Sequence, residues 1–144
     1  MKGRCEGPDW PALLDWLQTL STQSLQEIRR YYAEQAHFKD PFNDCHGVDE
    51  IEALFAAMFT HLQQPKFTVL QALRDGDQAF ITWDFDFIYS GRALRIHGAS
   101  HLQFDTQGRI ILHRDYWDAA EALFAKIPVI GGMITWLRKK MRHG

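Results

Sequence analysis

The stretch FITWDFDFI, residues 80–88, alternates apolar and polar side chains with a period of two. Trp83, Phe85 and Phe87 fall on one face of this pattern, and threonine and aspartate residues fall on the other. Such alternation is typical of a β-strand that buries one face. Residues 94–104 repeat the pattern after a serine-glycine turn, so the sequence predicts a long antiparallel hairpin with an aromatic inner face.

Turn residues divide the second half of the chain into four predicted strands. The first begins at Phe67, the next two cover residues 80–88 and 94–104, and the last covers residues 109–117. Strands of this length twist, so we expect the sheet to curve strongly. Gly98 interrupts the third strand, where a bend or bulge is expected.

The first half of the chain has the longer period of helices instead. Asp9 is a suitable N-cap for a first helix, with Pro11 in its opening turn. Ser24 and Glu27 form a capping-box pattern, so a second helix is predicted from there. It should stop before Asp40-Pro41, because proline disfavours helical backbone in the residue that precedes it.

Asp49 is predicted to cap a third helix, and Pro65 is predicted to end it. Three helices followed by a run of strands indicate the α+β class. We therefore expect a cone-shaped, strongly curved antiparallel sheet that packs against three N-terminal helices and encloses an interior pocket. This domain is predicted to cover residues 9–127.

Composition limits the functional classes. The net charge of −2 gives no general attraction to nucleic acid, and no stretch approaches the 20 or so apolar residues that cross a bilayer. Cys5 and Cys45 have no zinc-ligand spacing with histidine, so we predict a reduced, cytoplasmic setting without a metal or cofactor. His97 and His101 share a strand face but lack a third ligand, and His37 is interpreted as an exposed side chain without a role.

The C-terminal segment, residues 128–144, has a basic amphipathic pattern. Four basic residues crowd one side of it, and apolar residues line the other: Arg138, Lys139, Lys140 and Arg142 against Met133, Ile134, Trp136, Leu137 and Met141. Such a segment can lie on an anionic membrane surface or dock to a partner. We favour the interpretation in which its apolar side packs on or near the pocket mouth.

Three local patterns, in this order, resemble the nuclear transport factor 2-like superfamily. They are the segment YYAEQAHFKDPF at residues 31–42 with Gly47 after it, the aromatic strands of residues 80–104, and the segment HRDYWD at residues 113–118. This superfamily includes ketosteroid isomerase, SnoaL-like polyketide cyclases and limonene epoxide hydrolase. The resemblance covers residues 10–120 and implies a pocket for a small apolar ligand and a homodimer.

The resemblance to ketosteroid isomerase carries over only in part. That enzyme uses an aspartate base together with a tyrosine and a protonated aspartate that bind the oxyanion. The resemblance assigns Asp40 to the base, but Trp16 stands at the tyrosine position and Ser100 at the protonated aspartate position. It therefore does not imply steroid isomerisation by the same route. Aspartate is also common in turns, where it hydrogen-bonds the backbone, so a purely structural role for Asp40 before Pro41 is an open alternative.

The last strand offers a second set of candidate residues. Alternation puts His113, Asp115 and Trp117 on one face and Arg114 on the other. The resemblance implies that the first set faces the pocket, with Asp115 near the acid-base position of the SnoaL-like cyclases. A histidine-aspartate pair can move a proton near neutral pH, although such a pair is as common in a structural role. Epoxide hydrolysis in this superfamily uses an arginine between two aspartates across the cavity. Arg114 is predicted to lie on the strand face opposite His113 and Asp115, so it does not fit that role.

Two functions therefore remain open. The first is a proton-transfer isomerase or cyclase that acts on an apolar carbonyl compound, with Asp40, His113 and Asp115 as catalytic residues. The second is a non-catalytic ligand-binding or dimerisation domain with the same pocket. In either case the predicted pocket residues are Trp16, Tyr32, Phe55, Met58, Trp83, Phe85, Ser100 and Trp117.

Overall fold

Short helices alternate with strands in the first half of the chain and give way to long strands in the second. This computed structural model describes residues 7–118, so Cys5 and the predicted basic segment of residues 128–144 lie outside the described residues. The elements are α1 (Trp10–Gln18), a 3₁₀ turn (Ser24–Glu27), α2 (Ile28–Tyr31), β1 (Tyr32–Lys39), β2 (Asp44–His46), α3 (Val48–His61), β3 (Gln63–Asp75), β4 (Gln78–Tyr89), β5 (Arg92–Phe104) and β6 (Ile110–Trp117).

The six strands form one open sheet in the order β2-β1-β6-β5-β4-β3. Strands β3 to β6 make the predicted antiparallel meander. Strand β1 runs parallel to β6, so the sheet is mixed and not antiparallel throughout. The α+β class and the curved sheet that the sequence predicts are confirmed.

The prediction of a second long helix is wrong beyond Tyr31. Only a 3₁₀ turn, without the predicted capping box, and the single turn of α2 form there, and residues 32–39 are strand β1. Ala36 and Phe38 are buried, whereas His37 between them is partly exposed. Burial of one strand face and pairing with β6 outweigh the helix propensity of the segment YAEQA.

Two helix starts can be compared with their predicted caps. Asp9 caps α1 as predicted, and its carboxylate accepts a hydrogen bond from the backbone N–H of Ala12 at 3.3 Å. Helix α3 begins two residues earlier than predicted, with Gly47 instead of Asp49 as its N-cap, at a φ of 95°. Asp49 lies in the first turn instead, where its negative charge still stabilises the positive end of the helix dipole.

Strand β3 begins at Gln63, four residues before the predicted start, and it contains Pro65. Proline has no N–H to donate to a strand ladder, so it is tolerated at sheet edges and irregularities. Strand β3 is the last strand of the sheet, and its pairing with β4 is irregular between Gln63 and Lys66. Helix α3 ends at His61, so Pro65 does not end it as predicted.

The hydrophobic core lies between the helices and the inner face of the sheet. Leu13 of α1, Ile51 of α3, Leu102 of β5 and Ile110 of β6 are each 1% exposed or less. Burial of such side chains stabilises the fold by about 1.5–3 kcal/mol each. Among the described residues, no helix is both long enough and apolar enough to cross a membrane.

Gly98 is not at a bulge, contrary to expectation. Its neighbours pair with β4 in continuous register, and Gly98 itself lies opposite Trp83. A Cβ atom at position 98 would lie 2.5 Å from the Trp83 indole ring. The glycine is therefore explained by the room that this ring needs inside the sheet.

We expect Gly98→Ala to destabilise the protein by about 1–3 kcal/mol, because the buried ring of Trp83 must shift to make room for the Cβ atom. Urea unfolding measures this change. Ala99→Ser, on the other face of the same strand, is the control and should change stability by less than about 0.5 kcal/mol. Equal effects of the two substitutions would contradict the steric role of Gly98.

Candidate active site

An apolar cavity of about 100 Å³ lies between α3 and the inner face of the sheet. Two of the predicted catalytic residues, Asp40 and Asp115, line this cavity. Five of the eight predicted pocket residues line it as well: Phe55, Met58, Trp83, Phe85 and Trp117.

A smaller space of about 30 Å³ adjoins the cavity and is lined by Ser100 and His113, with Asp115 common to both. Trp16 and Tyr32, also predicted to line the pocket, lie in the core beside it, where they are 4% and 1% exposed. The indole N–H of Trp16 donates to the backbone carbonyl of Ser24 at 2.8 Å. This N–H is therefore committed to the core and does not replace the oxyanion-binding tyrosine.

Sequence reasoning missed seven further residues of the cavity. Phe87 and Ile96 share a strand face with predicted residues, so the alternation was a sufficient signal for them. Phe38 was assigned to a helix, and Asn43 stands in a polar loop where nothing in the pattern indicates its direction. The seven residues are Phe38, Asn43, Leu54, Leu62, Phe67, Phe87 and Ile96.

Asp40 opens the loop of residues 40–43, which joins β1 to β2. Its Oδ1 accepts hydrogen bonds from the backbone N–H groups of Phe42 at 2.8 Å and Asn43 at 2.6 Å, and the Asn43 amide lies 3.1 Å from both carboxylate oxygens. Burial raises the pKa of Asp40, the hydrogen bonds oppose this shift, and the charge of Asp115 adds to it. Asp40 thus organises the turn and also reaches the cavity.

Asn43 presents an unusual acceptor. Its side chain is buried, and its Oδ1 has no hydrogen-bond partner among the described residues. A buried acceptor without a partner costs about 1–3 kcal/mol, so such a group favours a molecule that donates a hydrogen bond to it. Asn43 lines the cavity, but its Oδ1 is itself buried, so a ligand would reach this oxygen only after the side chain turns.

A chain of hydrogen bonds links the core to the cavity. The Tyr32 hydroxyl lies 2.7 Å from His113 Nδ1, and His113 Nε2 lies 2.7 Å from Asp115 Oδ1. The same Oδ1 accepts a hydrogen bond from the Ser100 hydroxyl, whose oxygen accepts the Trp83 indole N–H at 2.8 Å. A neutral His113 ring makes both hydrogen bonds when Nε2 carries the proton. Nε2–H then donates to Asp115, and Nδ1 accepts from the Tyr32 hydroxyl. Burial keeps the Tyr32 hydroxyl protonated by raising its pKa well above the usual value.

Other candidate groups lie away from the cavity. His97 and His101 are on the outer face of β5, and each hydrogen-bonds a different side chain of β4. Arg114 is exposed, with its guanidinium 5.2 Å from the centre of the Tyr116 ring. Burial raises the pKa of the Cys45 thiol to about 12, which makes it a poor nucleophile.

Solved structures define the class of fold. A nuclear transport factor 2-like protein of unknown function from Burkholderia pseudomallei has a TM-score of 0.69 and 16% identity, over 79% of this chain and 93% of its own. An epoxide hydrolase of Mycobacterium tuberculosis, similar to limonene epoxide hydrolase, has a TM-score of 0.66 and 16% identity, over 88% and 92%. A protein described as a SnoaL-like polyketide cyclase from Jannaschia has a TM-score of 0.67 and 12% identity, over 79% and 85%. The fold is therefore that of the nuclear transport factor 2-like superfamily.

The family follows from the sequence itself. Residues 13–113 match the model of the SnoaL-like domain, which is more than half of the chain. The chain belongs to the SnoaL-like domain family, as the sequence resemblance implied. No curated protein matches it.

The hydrogen bond between Tyr32 and His113 can be tested by deleting one hydroxyl. We expect Tyr32→Phe to destabilise the protein by about 1–3 kcal/mol, because it leaves the buried Nδ1 of His113 without a partner. Tyr31→Phe, at the adjacent and less buried tyrosine, is the matched control and should be nearly neutral. Chemical unfolding of both variants provides the comparison, and equal stability would show that the buried hydroxyl contributes nothing.

The raised pKa of Asp40 predicts a pH-dependent effect of Asp40→Asn. Between the ordinary value of 3.8 and the raised value, the folded protein binds more protons than the unfolded chain, so wild-type stability falls as the pH rises through this interval. The variant escapes this loss and should be the more stable protein at pH values above 3.8.

This advantage should shrink as the pH is lowered through the same interval. Thermal unfolding of both proteins from acidic to neutral pH measures it, with Asp86→Asn on the outer face as the control. A constant difference across this pH range would exclude titration of Asp40 as its cause.

Proposed function

We propose that this protein binds a small, largely apolar carbonyl compound and catalyses proton transfer within it, as an isomerase or cyclase does. The observation that carries the proposal is that Asp40 and Asp115 line one small apolar cavity from different strand ends. Proton transfer beside a carbonyl group needs one group that accepts a proton from carbon and another that stabilises the developing charge on oxygen. Two carboxyl groups supply both when only one of them is ionised.

Burial favours Asp40 as the acid of the pair. It raises the pKa of Asp40 and so favours the protonated form, which donates a hydrogen bond to the carbonyl oxygen. Asp115 then accepts the proton from the neighbouring carbon. This assignment makes Asp40 the acid, whereas the resemblance to ketosteroid isomerase implies the base.

His113 and Ser100 act through Asp115. Both direct their hydrogen bonds to Oδ1, which leaves Oδ2 as the oxygen that meets the substrate. His113 is therefore a positioning residue in this mechanism, with Tyr32 behind it fixing the tautomer.

The cavity also limits the ligand. Its volume of about 100 Å³ is smaller than the roughly 150 Å³ of an apolar cavity that holds benzene, so a compact compound fits best. Epoxide hydrolysis, the activity named for one structural neighbour, is less well supported, because Arg114 is exposed on the outer face.

A second candidate function is ligand binding without catalysis. The observation that favours it is that the side-chain N–H groups of Trp83, Asn43 and His113 have protein partners already. If Asp40 is ionised when the ligand binds, these groups offer no donor to an oxyanion, and the cavity would then only hold its ligand.

The homodimer and the cytoplasmic setting stay predictions. The outer face of the sheet supports the homodimer, since Leu73, Phe80 and Tyr116 are 70%, 55% and 52% exposed there. A second copy of the chain would cover these apolar side chains.

Solvent deuterium exchange tests catalysis without knowledge of the product. We expect the protein to exchange the protons beside the carbonyl in one or more small ketones or hydroxyketones in D₂O, as measured by NMR. Asp115→Asn should lower the rate by about 10²–10⁴-fold, because it removes the base. Asp40→Asn should lower it by a similar factor.

Asp86→Asn is the control, since its carboxylate lies on the outer face and pairs with Arg95. It should leave the exchange rate unchanged. Compounds that raise the melting temperature without any exchange would support the binding function instead, and exchange that survives both cavity substitutions would contradict the proposed mechanism.

A further inference from the structure

Three metal-ligating side chains meet on the β1–β2 hairpin, on the outer face of the sheet and away from the cavity. They are His37, Asp44 and His46, and one ligand atom of each lies within 4.8 Å of the others. None of the three takes part in the proposed function.

The pairing of the two strands brings these side chains together. His37 and His46 are directly opposite in the antiparallel register, and their rings stack with centres 4.4 Å apart and planes 14° apart. The Nε2 atom of His37 lies 2.5 Å from Asp44 Oδ1, and that of His46 lies 3.4 Å from the same oxygen. Both imidazoles therefore direct the same nitrogen at one carboxylate oxygen.

This arrangement is close to that of a tetrahedral metal site. Ligand atoms at bond lengths of about 2.1 Å are roughly 3.4 Å apart in such a site. The His46–Asp44 distance already has this value, and the His37–Asp44 distance needs to open by about 1 Å, which a side-chain rotation on the surface provides.

We propose that His37, Asp44 and His46 bind a divalent transition-metal ion of the zinc type, with water completing its coordination. Two imidazole nitrogens with one carboxylate oxygen suit Zn²⁺, Ni²⁺ or Cu²⁺. Mg²⁺ and Ca²⁺ require oxygen ligands and are not expected to bind.

The local electrostatics supports and limits this site. The ammonium group of Lys39 lies 3.7 Å from the other oxygen, Oδ2, which leaves Oδ1 for the metal but opposes a bound cation by its charge. The side chains of His37, Asp44 and His46 are 37%, 48% and 71% exposed, so water can reach the ion.

A metal ion at this position would also restrain the candidate active site. The two strands that it joins flank the loop of residues 40–43, which carries Asp40 and Asn43 to the cavity. A link between the strands limits how far this loop can open. The site does not depend on the proposed function, and it can be tested without a substrate.

Isothermal titration of the metal-free full chain with ZnCl₂ tests the site. Because Cys5 and His143 are further candidate ligands in the sequence, the titrations use a background with both Cys5→Ser and His143→Gln. We expect one equivalent to bind and the melting temperature to rise in excess Zn²⁺. His37→Gln and His46→Gln should each weaken zinc binding by about tenfold or more. Loss of a residue that only hydrogen-bonds a metal ligand already weakens binding by about this factor, and loss of a ligand should cost no less.

His97→Gln is the matched control, because His97 is similarly exposed and also hydrogen-bonds an aspartate on the outer face. It should leave zinc binding unchanged, and MgCl₂ should give no binding to any variant. Equal melting temperatures in EDTA would show that the substitutions leave the fold intact. Absence of zinc binding, or binding that survives both histidine substitutions, would overturn the proposal.

Discussion

The parallel pairing of β1 with β6 is the constraint on which the candidate site depends. In this register Phe38 lies beside His113 and Lys39 beside Arg114, so the next step along both strands brings Asp40 level with Asp115. Neighbouring residues of paired strands point to the same face, so both carboxyl groups face the core. A slip of one residue would turn one of them outward and separate the pair.

Two carboxyl groups in one apolar space repel each other and lose solvation, and the fold offsets this cost in two ways. Asp40 receives its hydrogen bonds from the backbone and amide of its own loop, and Asp115 receives them from Ser100 and His113 on the paired strands. The loop is a local structure, whereas the contacts of Asp115 join β5 and β6. Burial and the charge of Asp115 both raise the pKa of Asp40, so ionisation of this carboxyl group is less favourable in the folded protein than in water.

The sequence predicted those parts of the fold that have a clear period. Alternation over residues 80–88 and 94–104 identified the central hairpin and its inner face, and the last strand put His113 and Asp115 on a common face with Trp117. Strand β1 could not be predicted in this way, because the segment YAEQA favours a helix and its strand form depends on pairing with a strand that follows about 70 residues later. Because residues 32–39 were predicted as a helix, neither the place of Phe38 at the cavity nor the pairing of β1 with β6 could be predicted.

The same error explains why nothing in the sequence indicated that His37 and His46 lie close together on the outer face. In a helix that ends before Asp40, His37 has no defined relation to His46, and the pair is not recognisable from spacing. Once residues 32–39 are a strand, the hairpin register sets the two imidazoles opposite each other, and the alternation of strand faces separates them from the cavity side. One strand thus presents Phe38 to the cavity and His37 to the outer face, and the loop that follows it returns Asp40 to the inside. The position of a single short hairpin therefore determines which side chains face the cavity and which face the outer side.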